Sequence, residues 1–135
     1  MKYLLDTNVC IAGMRNHPQV VARIVSIPPG DLAISTVTSY ELFTGIAKCS
    51  NPAKERAKIE KLLQLVLEVP FDPSAAREAA SIRAALEAQG RSIGPYDLLL
   101  AGHAISLGLI LITNNTTEFS RIAGLLLEDW HNATP

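Results

Sequence analysis

The chain has 135 residues, 48% of them hydrophobic and 19% charged, with a formal net charge of −1. This balance excludes a disordered or fibrous chain, and the length suffices to enclose one core. It also excludes the broadly basic surface of a nonspecific nucleic-acid clamp, so any nucleic-acid role needs a local patch.

Taken in chain order, the pattern alternates strand with helix. KYLLD at 2–6 predicts a first strand, and NVCIAGMR and PQVVARIVSI predict helices. DLAIS at 31–35 predicts a second strand and TSYELFTGIAKC at 38–49 a helix. The stretch 51–67 opens with Asn51 as N-cap and Pro52 at the first helical position, followed by helically spaced apolar residues. A short strand is predicted at 68–71, then an Ala-rich helix over 72–90 closed by Gly90. Pro95 opens and Gly108 ends a helix over 94–108. LILIT at 109–113 predicts a fourth strand, TEFSRIAG a short helical turn, and LLLEDW at 125–130 a terminal strand.

Strands alternating with helices predict an α/β domain spanning residues 1–135, with a mainly parallel sheet of about five strands and helices on both faces. YLL and LILIT are continuous apolar runs, as strands buried on both faces should be. Cys10 and Cys49 are too few for a disulfide framework and predict two reduced thiols in a cytoplasmic protein. No charged leader precedes an apolar run, and no apolar stretch reaches the ~20 residues of a membrane helix.

In such sheets ligands bind beyond the carboxyl ends of the strands. Asp6 ends the first strand there. Glu41 is predicted in the first turn of the helix after DLAIS, and Asp97 in the first turn of the helix before LILIT. Helices that cross back start at the same edge, so the topology sends all three acids to one side. TNNTTEF adds Thr113, Asn114, Asn115 and Glu118. Each acid also has a structural reading. Asp6 could be a turn acid. Thr38-Ser39-Tyr40-Glu41 fits a capping box. Asp97 would favour its helix dipole by roughly 0.3–1 kcal/mol.

Charge argues for chemistry. Two unit charges about 4 Å apart repel by roughly 4 kcal/mol at an effective dielectric near 20. No Lys or Arg lies in YLLDTN or GPYDLLLAG to offset the three acids. A divalent cation would, and an all-oxygen set suits Mg²⁺, with Mn²⁺ as a substitute. A hard metal with open coordination positions suits phosphoryl chemistry. His103 falls six residues after Asp97, about 240° around the helix, and faces elsewhere. His17 and His131 read as structural or solvated.

Arg15 and Lys48 are candidate phosphate contacts, as are Arg83 and Arg91. With 5% aromatics, the sequence shows no stacking platform for bases. Leu62, Leu63, Val66 and Leu67 could pack inward, form a dimer seam or line a groove for a partner helix.

YLLDTN, ISTVTSYELFTG, IGPYDLLLAGHAIS and LITNNTTEFSRIAGLLLEDW together resemble the PIN-domain ribonucleases, specifically the VapC toxins and their tRNA(fMet)-specific endonuclease subgroup. The resemblance runs from Lys2 to Trp130. It implies a three-layer α/β/α fold, Mg²⁺-dependent RNA cleavage, a VapB-type antitoxin partner and a homodimer. Asp6 and Asp97 match the family's metal-binding aspartates and Glu41 its central glutamate. Asn115 stands where many relatives carry another acid, and Glu118 one turn on could compensate. Asn8 and Thr113 would orient the acids and their waters.

Three rivals remain. A phosphatase with an aspartate nucleophile needs a second Asp two residues on, where this chain has Asn8. A phosphoacceptor domain needs a Lys after a late strand, which LITNN lacks. A PIN-like scaffold that binds RNA or protein without cutting is kept open by Asn115.

Overall fold

The structure is a computed structural model and describes residues 1–132. Strand β1 (Tyr3–Leu5) is three apolar residues long, all buried. It feeds α1 (Thr7–Met14) and α2 (Pro18–Ser26). Strand β2 (Leu32–Ser35), also wholly buried, leads into α3 (Thr36–Lys48) and α4 (Pro52–Leu63). Strand β3 (Leu67–Val69) precedes α5 (Pro73–Ala88) and α6 (Pro95–Leu107). Strand β4 (Ile110–Ile112), a short α7 (Thr116–Phe119) and β5 (Leu127–Glu128) follow.

The five strands form one parallel sheet in the order β3-β2-β1-β4-β5. Tyr3, Leu4 and Leu5 sit opposite Ile110, Leu111 and Ile112. Alternation along β1 splits the core in two. Tyr3 and Leu5 join Val9, Val20, Leu42, Ile59 and Ile112 on one face. Leu4 joins Leu86, Leu100, Ala101, Leu111 and Phe119 on the other. This is the expected three-layer α/β/α arrangement.

Boundaries differ from the sequence pattern where tertiary pairing overrides local preference. Ser35 caps α3 by accepting from the Val37 N–H at 3.0 Å, so that helix starts at 36 rather than 38. The helix predicted over 51–67 ends at Leu63, and the Leu65 N–H returns to the Leu62 carbonyl at 2.9 Å. Val66 is then buried and Leu67 pairs with Ala33 in the sheet. Leu62 and Val66 pack inward, while Leu67 lies exposed on the edge strand. The terminal strand shrinks to two residues because Trp130 turns onto the first core. Its ring meets Tyr3 edge-on at 5.2 Å, and its indole N–H donates to Glu128 at 2.8 Å. Arg23 pairs with the same carboxylate and lies over the Trp130 ring.

Cys10 and Cys49 are unpaired. His103 is buried edge-on against Phe71, and burial lowers its basicity. His17 caps α2 through its ring and packs against His131. No described helix is long and apolar enough to cross a membrane.

Helices α5 and α6 pack backbone to backbone at Gly102. A Cβ there would stand 2.5 Å from the backbone nitrogen of Ala79, which cannot move aside as a flexible side chain would. Gly102→Ala should therefore destabilise the fold by about 2–3 kcal/mol, read as a lower urea midpoint. An unchanged midpoint would contradict this packing.

Candidate metal centre

The strand order places a topological switch between β1 and β4. The chain winds from β1 outward through β2 to β3, then jumps back to β4. Ligands in open α/β sheets bind at such a switch, beyond the carboxyl ends. Asp6 and Thr113 are the residues that follow the paired ends Leu5 and Ile112, so both stand at its mouth.

Asp6 is 3% exposed and tied from several sides. Its N–H donates to the Ile112 carbonyl at 3.0 Å, and its carboxylate accepts from the Val9 N–H at 2.8 Å. It is thus the N-cap of α1, a structural role different from the turn acid expected of it. Burial pushes its pKa up. The Thr113 hydroxyl, the Val9 N–H, the charge of His131 and the Asn8 N–H pull the other way.

Glu41 lies in the second turn of α3, not the first. The cap is Ser35, so a Thr38–Glu41 capping box does not explain this residue. Its carboxylate instead accepts from the Thr7 hydroxyl at 2.7 Å, and Thr7 and Thr38 stand 3.1 Å apart. Thr7 is the site residue that sequence reasoning passed over. The available signal was a hydroxyl directly after the strand-ending acid.

Asp97 sits in the first turn of α6 as expected and is partly buried. Burial, then the charges of Asp6, Glu118 and Glu41, push its pKa up to about 6. The same negative field reaches Cys10, whose thiol is raised by burial and further by Asp6 and Glu41. The ion pairs among the described residues are Arg23–Glu128, Arg83–Glu87 and His131–Asp129. None involves Asp6, Glu41 or Asp97.

The β4 end supplies further groups. Thr113 is fully buried, and its hydroxyl lies near enough to Asp6 to favour the ionised carboxylate. Its hydroxyl also accepts from the Asn115 N–H at 3.0 Å, and the Asn115 amide donates to Glu118 at 2.9 Å. Asn115 thus holds Glu118 within electrostatic reach of Asp97. Asn8 is exposed and acts on Asp6 through its backbone N–H, not its side chain. Arg15 caps the far end of α1, and Lys48 is the last residue of α3. Each stands roughly 10 Å or more along its helix from the acid at the near end.

The donor set fits a hard divalent cation. It is all oxygen and anionic, with no cation paired to it. It does not form a closed cage, because no three His, Cys, Asp or Glu groups among the described residues sit close enough for one. Asp6, Glu41 and Asp97 share this edge without closing on one another, so an ion held there would take waters and substrate oxygens to fill its coordination.

The sequence matches the PIN domain over residues 3–125. It is 43% identical to a tRNA(fMet)-specific endonuclease VapC of Shigella flexneri, over 96% of this chain and 98% of that one. The structure superposes on DNA-bound VapBC from Salmonella typhimurium with a TM-score of 0.91 at 38% identity, covering 96% and 98% of the two chains. On VapBC2 from Rickettsia felis bound to a promoter DNA fragment, the TM-score is 0.90 at 32% identity, covering 96% and 99%. The chain belongs to the PIN-domain family and, within it, to the VapC ribonucleases.

The raised pKa of Asp97 carries a stability consequence. Its carboxyl holds a proton in the folded protein that the unfolded chain releases between 3.8 and about 6. Stability is therefore lost as pH rises through that window. The full shift corresponds to about 3 kcal/mol, and partial exposure reduces it to about 1 kcal/mol. Metal-free Asp97→Asn should melt about 3–5 °C above the wild type at pH 7.5, a gap that closes toward pH 4. Millimolar Mg²⁺ should raise the wild-type melting temperature and leave the variant's unmoved. Equal melting at both pH values would show that neither burial nor the neighbouring acids perturb this carboxyl.

Proposed function

We propose that Asp6, Glu41 and Asp97 hold Mg²⁺ at the β1/β4 switch and that the chain hydrolyses tRNA there. As a VapC ribonuclease, it is the RNA-cutting toxin of a type II toxin–antitoxin module. The observation that carries the metal assignment is the unpaired acidic edge, where burial first and the charges of Asp6, Glu118 and Glu41 next hold the Asp97 carboxyl near 6. The names of relatives at up to 43% identity support tRNA as the substrate.

Asp6 and Asp97 are the direct ligands in this reading. The bound ion would lower the pKa of a water and offset the charge of the scissile phosphate. Glu41, gripped by Thr7, orients the attacking water and accepts its proton. Thr113 keeps the Asp6 carboxylate in its bound orientation. Asn115 and Glu118 supply an outer acidic group where many relatives carry an aspartate. In-line attack by water leaves 5′-phosphate and 3′-hydroxyl ends. Arg15 and Lys48 contact phosphates of a substrate that extends away from the acids.

A VapB-type antitoxin is the partner, since the matching structures are VapBC assemblies. We assign the toxin a homodimeric state and the cytoplasm, where its substrate is found. Asn115 favours one other reading, a PIN scaffold that binds RNA and cuts weakly. The test is cleavage of total tRNA with Mg²⁺ or EDTA. Asp6→Asn keeps an N-cap as good as aspartate, so it should stay folded yet lose about 100-fold or more of the activity expected of a metal ligand. Glu41→Gln should lose a comparable amount, since no cap depends on it. Retained activity in EDTA or in either variant would overturn the metal assignment. Wild-type protein that binds tRNA and leaves it intact would establish the scaffold.

A further inference from the structure

Apart from the half-buried Phe71, the aromatic residues divide by place. Tyr3, Phe119 and Trp130 are buried in the two cores. The exposed rings among the described residues are Tyr40, Phe43 and Tyr96, and all three lie on α3 and α6. Tyr40 directly precedes Glu41, and Tyr96 directly precedes Asp97. The two tyrosines meet across the helices. Their hydroxyls stand 3.3 Å apart, and the ring centroids 5.7 Å apart with the planes tilted by 50°. The Tyr96 hydroxyl is close enough to Glu41 for that charge to raise its pKa, after the larger effect of its bond to Tyr40.

Neither ring is needed by the cores. Tyr40 is 57% and Tyr96 40% exposed, although both carry large apolar faces that water solvates poorly. Their phenols are braced against each other, so the rings form a shared, partly ordered surface rather than two loose side chains. A spacing of 5.7 Å leaves no room for a base to slide between them. It leaves the outward faces free for a base to lie upon.

We propose that Tyr40 and Tyr96 form a stacking platform for an unpaired RNA base beside the scissile phosphate. The inference rests on the nuclease reading and specifies how its substrate is held. The negative acidic edge repels a polyanion, and the cations on α1 and α3 stand at the far helix ends. Stacking supplies attraction next to the acids without adding a positive charge that would compete with a metal. Every base has a π-face, so such contacts tolerate sequence and demand single-stranded RNA. Duplex bases, already stacked, cannot use the platform. The substrate class is therefore a loop or a single strand.

The test measures cleavage of a hairpin RNA by wild type, Tyr40→Ala, Tyr96→Ala and Tyr96→Phe in Mg²⁺. It also measures quenching of a 2-aminopurine placed in the hairpin loop when the non-cleaving Asp6→Asn protein binds it, with and without Tyr96→Ala. Each alanine variant should raise KM about tenfold and leave kcat within about twofold, the size expected for losing one stacked base. Tyr96→Phe should restore KM, because the ring and not the hydroxyl makes the contact. Quenching should disappear with Tyr96→Ala. Unchanged KM in both alanine variants, with quenching retained on Tyr96→Ala, would overturn the platform. So would a wild-type dimer that becomes a monomer on Tyr96→Ala with RNA binding intact, which would assign the rings to a contact between copies. Wild-type protein that quenches the probe but cuts no RNA would defeat the nuclease reading and leave the platform standing.

Discussion

The carboxylates brought to the β1/β4 junction are the constraint that the polar groups around them answer. Asp6 has little freedom to escape it. Its backbone is fixed by the Ile112 carbonyl and its carboxylate by the first turn of α1. Asp97 absorbs the consequence, with its pKa pushed up to about 6 by burial and by acids from three other segments. The N-termini of α1, α3 and α6 all open toward this edge. Each offers roughly half a positive charge, which eases the crowding without neutralising it. What remains is a net negative edge with no lysine or arginine paired to it among the described residues.

The two cores make that arrangement tolerable. One is closed by Trp130, packed on Tyr3 and flanked by Arg23 and Glu128. The other depends on α5 lying directly against Gly102 of α6. Apolar burial on both faces of β1 fixes the strand that ends in Asp6. The site is thus built on rigid strand ends and helix starts, as positioning to fractions of an ångström requires.

Hydroxyl groups set the acids' orientations. Thr7 reaches across to Glu41, and Thr113 serves Asp6 while accepting from Asn115. Asn115 passes the arrangement on to Glu118. Asn115 itself carries no charge and acts as a clamp for a more distant carboxylate. Outside this polar layer stand Tyr40 and Tyr96, so the edge changes within a few residues from buried anion to exposed aromatic surface.

The alternation of elements, the strand-ending Asp6 and the placement of Asp97 in a helical first turn were all readable in the sequence, because local apolar runs, Pro95 and Gly108 encode them. Glu41 was found as a residue but misplaced within its helix. T-x-x-E fits a cap in one dimension, and only the sheet showed that β2 ends at Ser35 and the helix begins there. Leu67 was assigned to a helix by its spacing and went to the sheet, since pairing with Ala33 outweighs helical periodicity. The grip of Thr7 on Glu41 and the meeting of Tyr40 with Tyr96 join residues 34 and 56 positions apart, which no local pattern encodes. The sequence by itself determined which residues carry charge and which edge they reach. Strand order and helix docking decided which of them meet, because electrostatic and stacking energies depend on distances that only the folded chain sets.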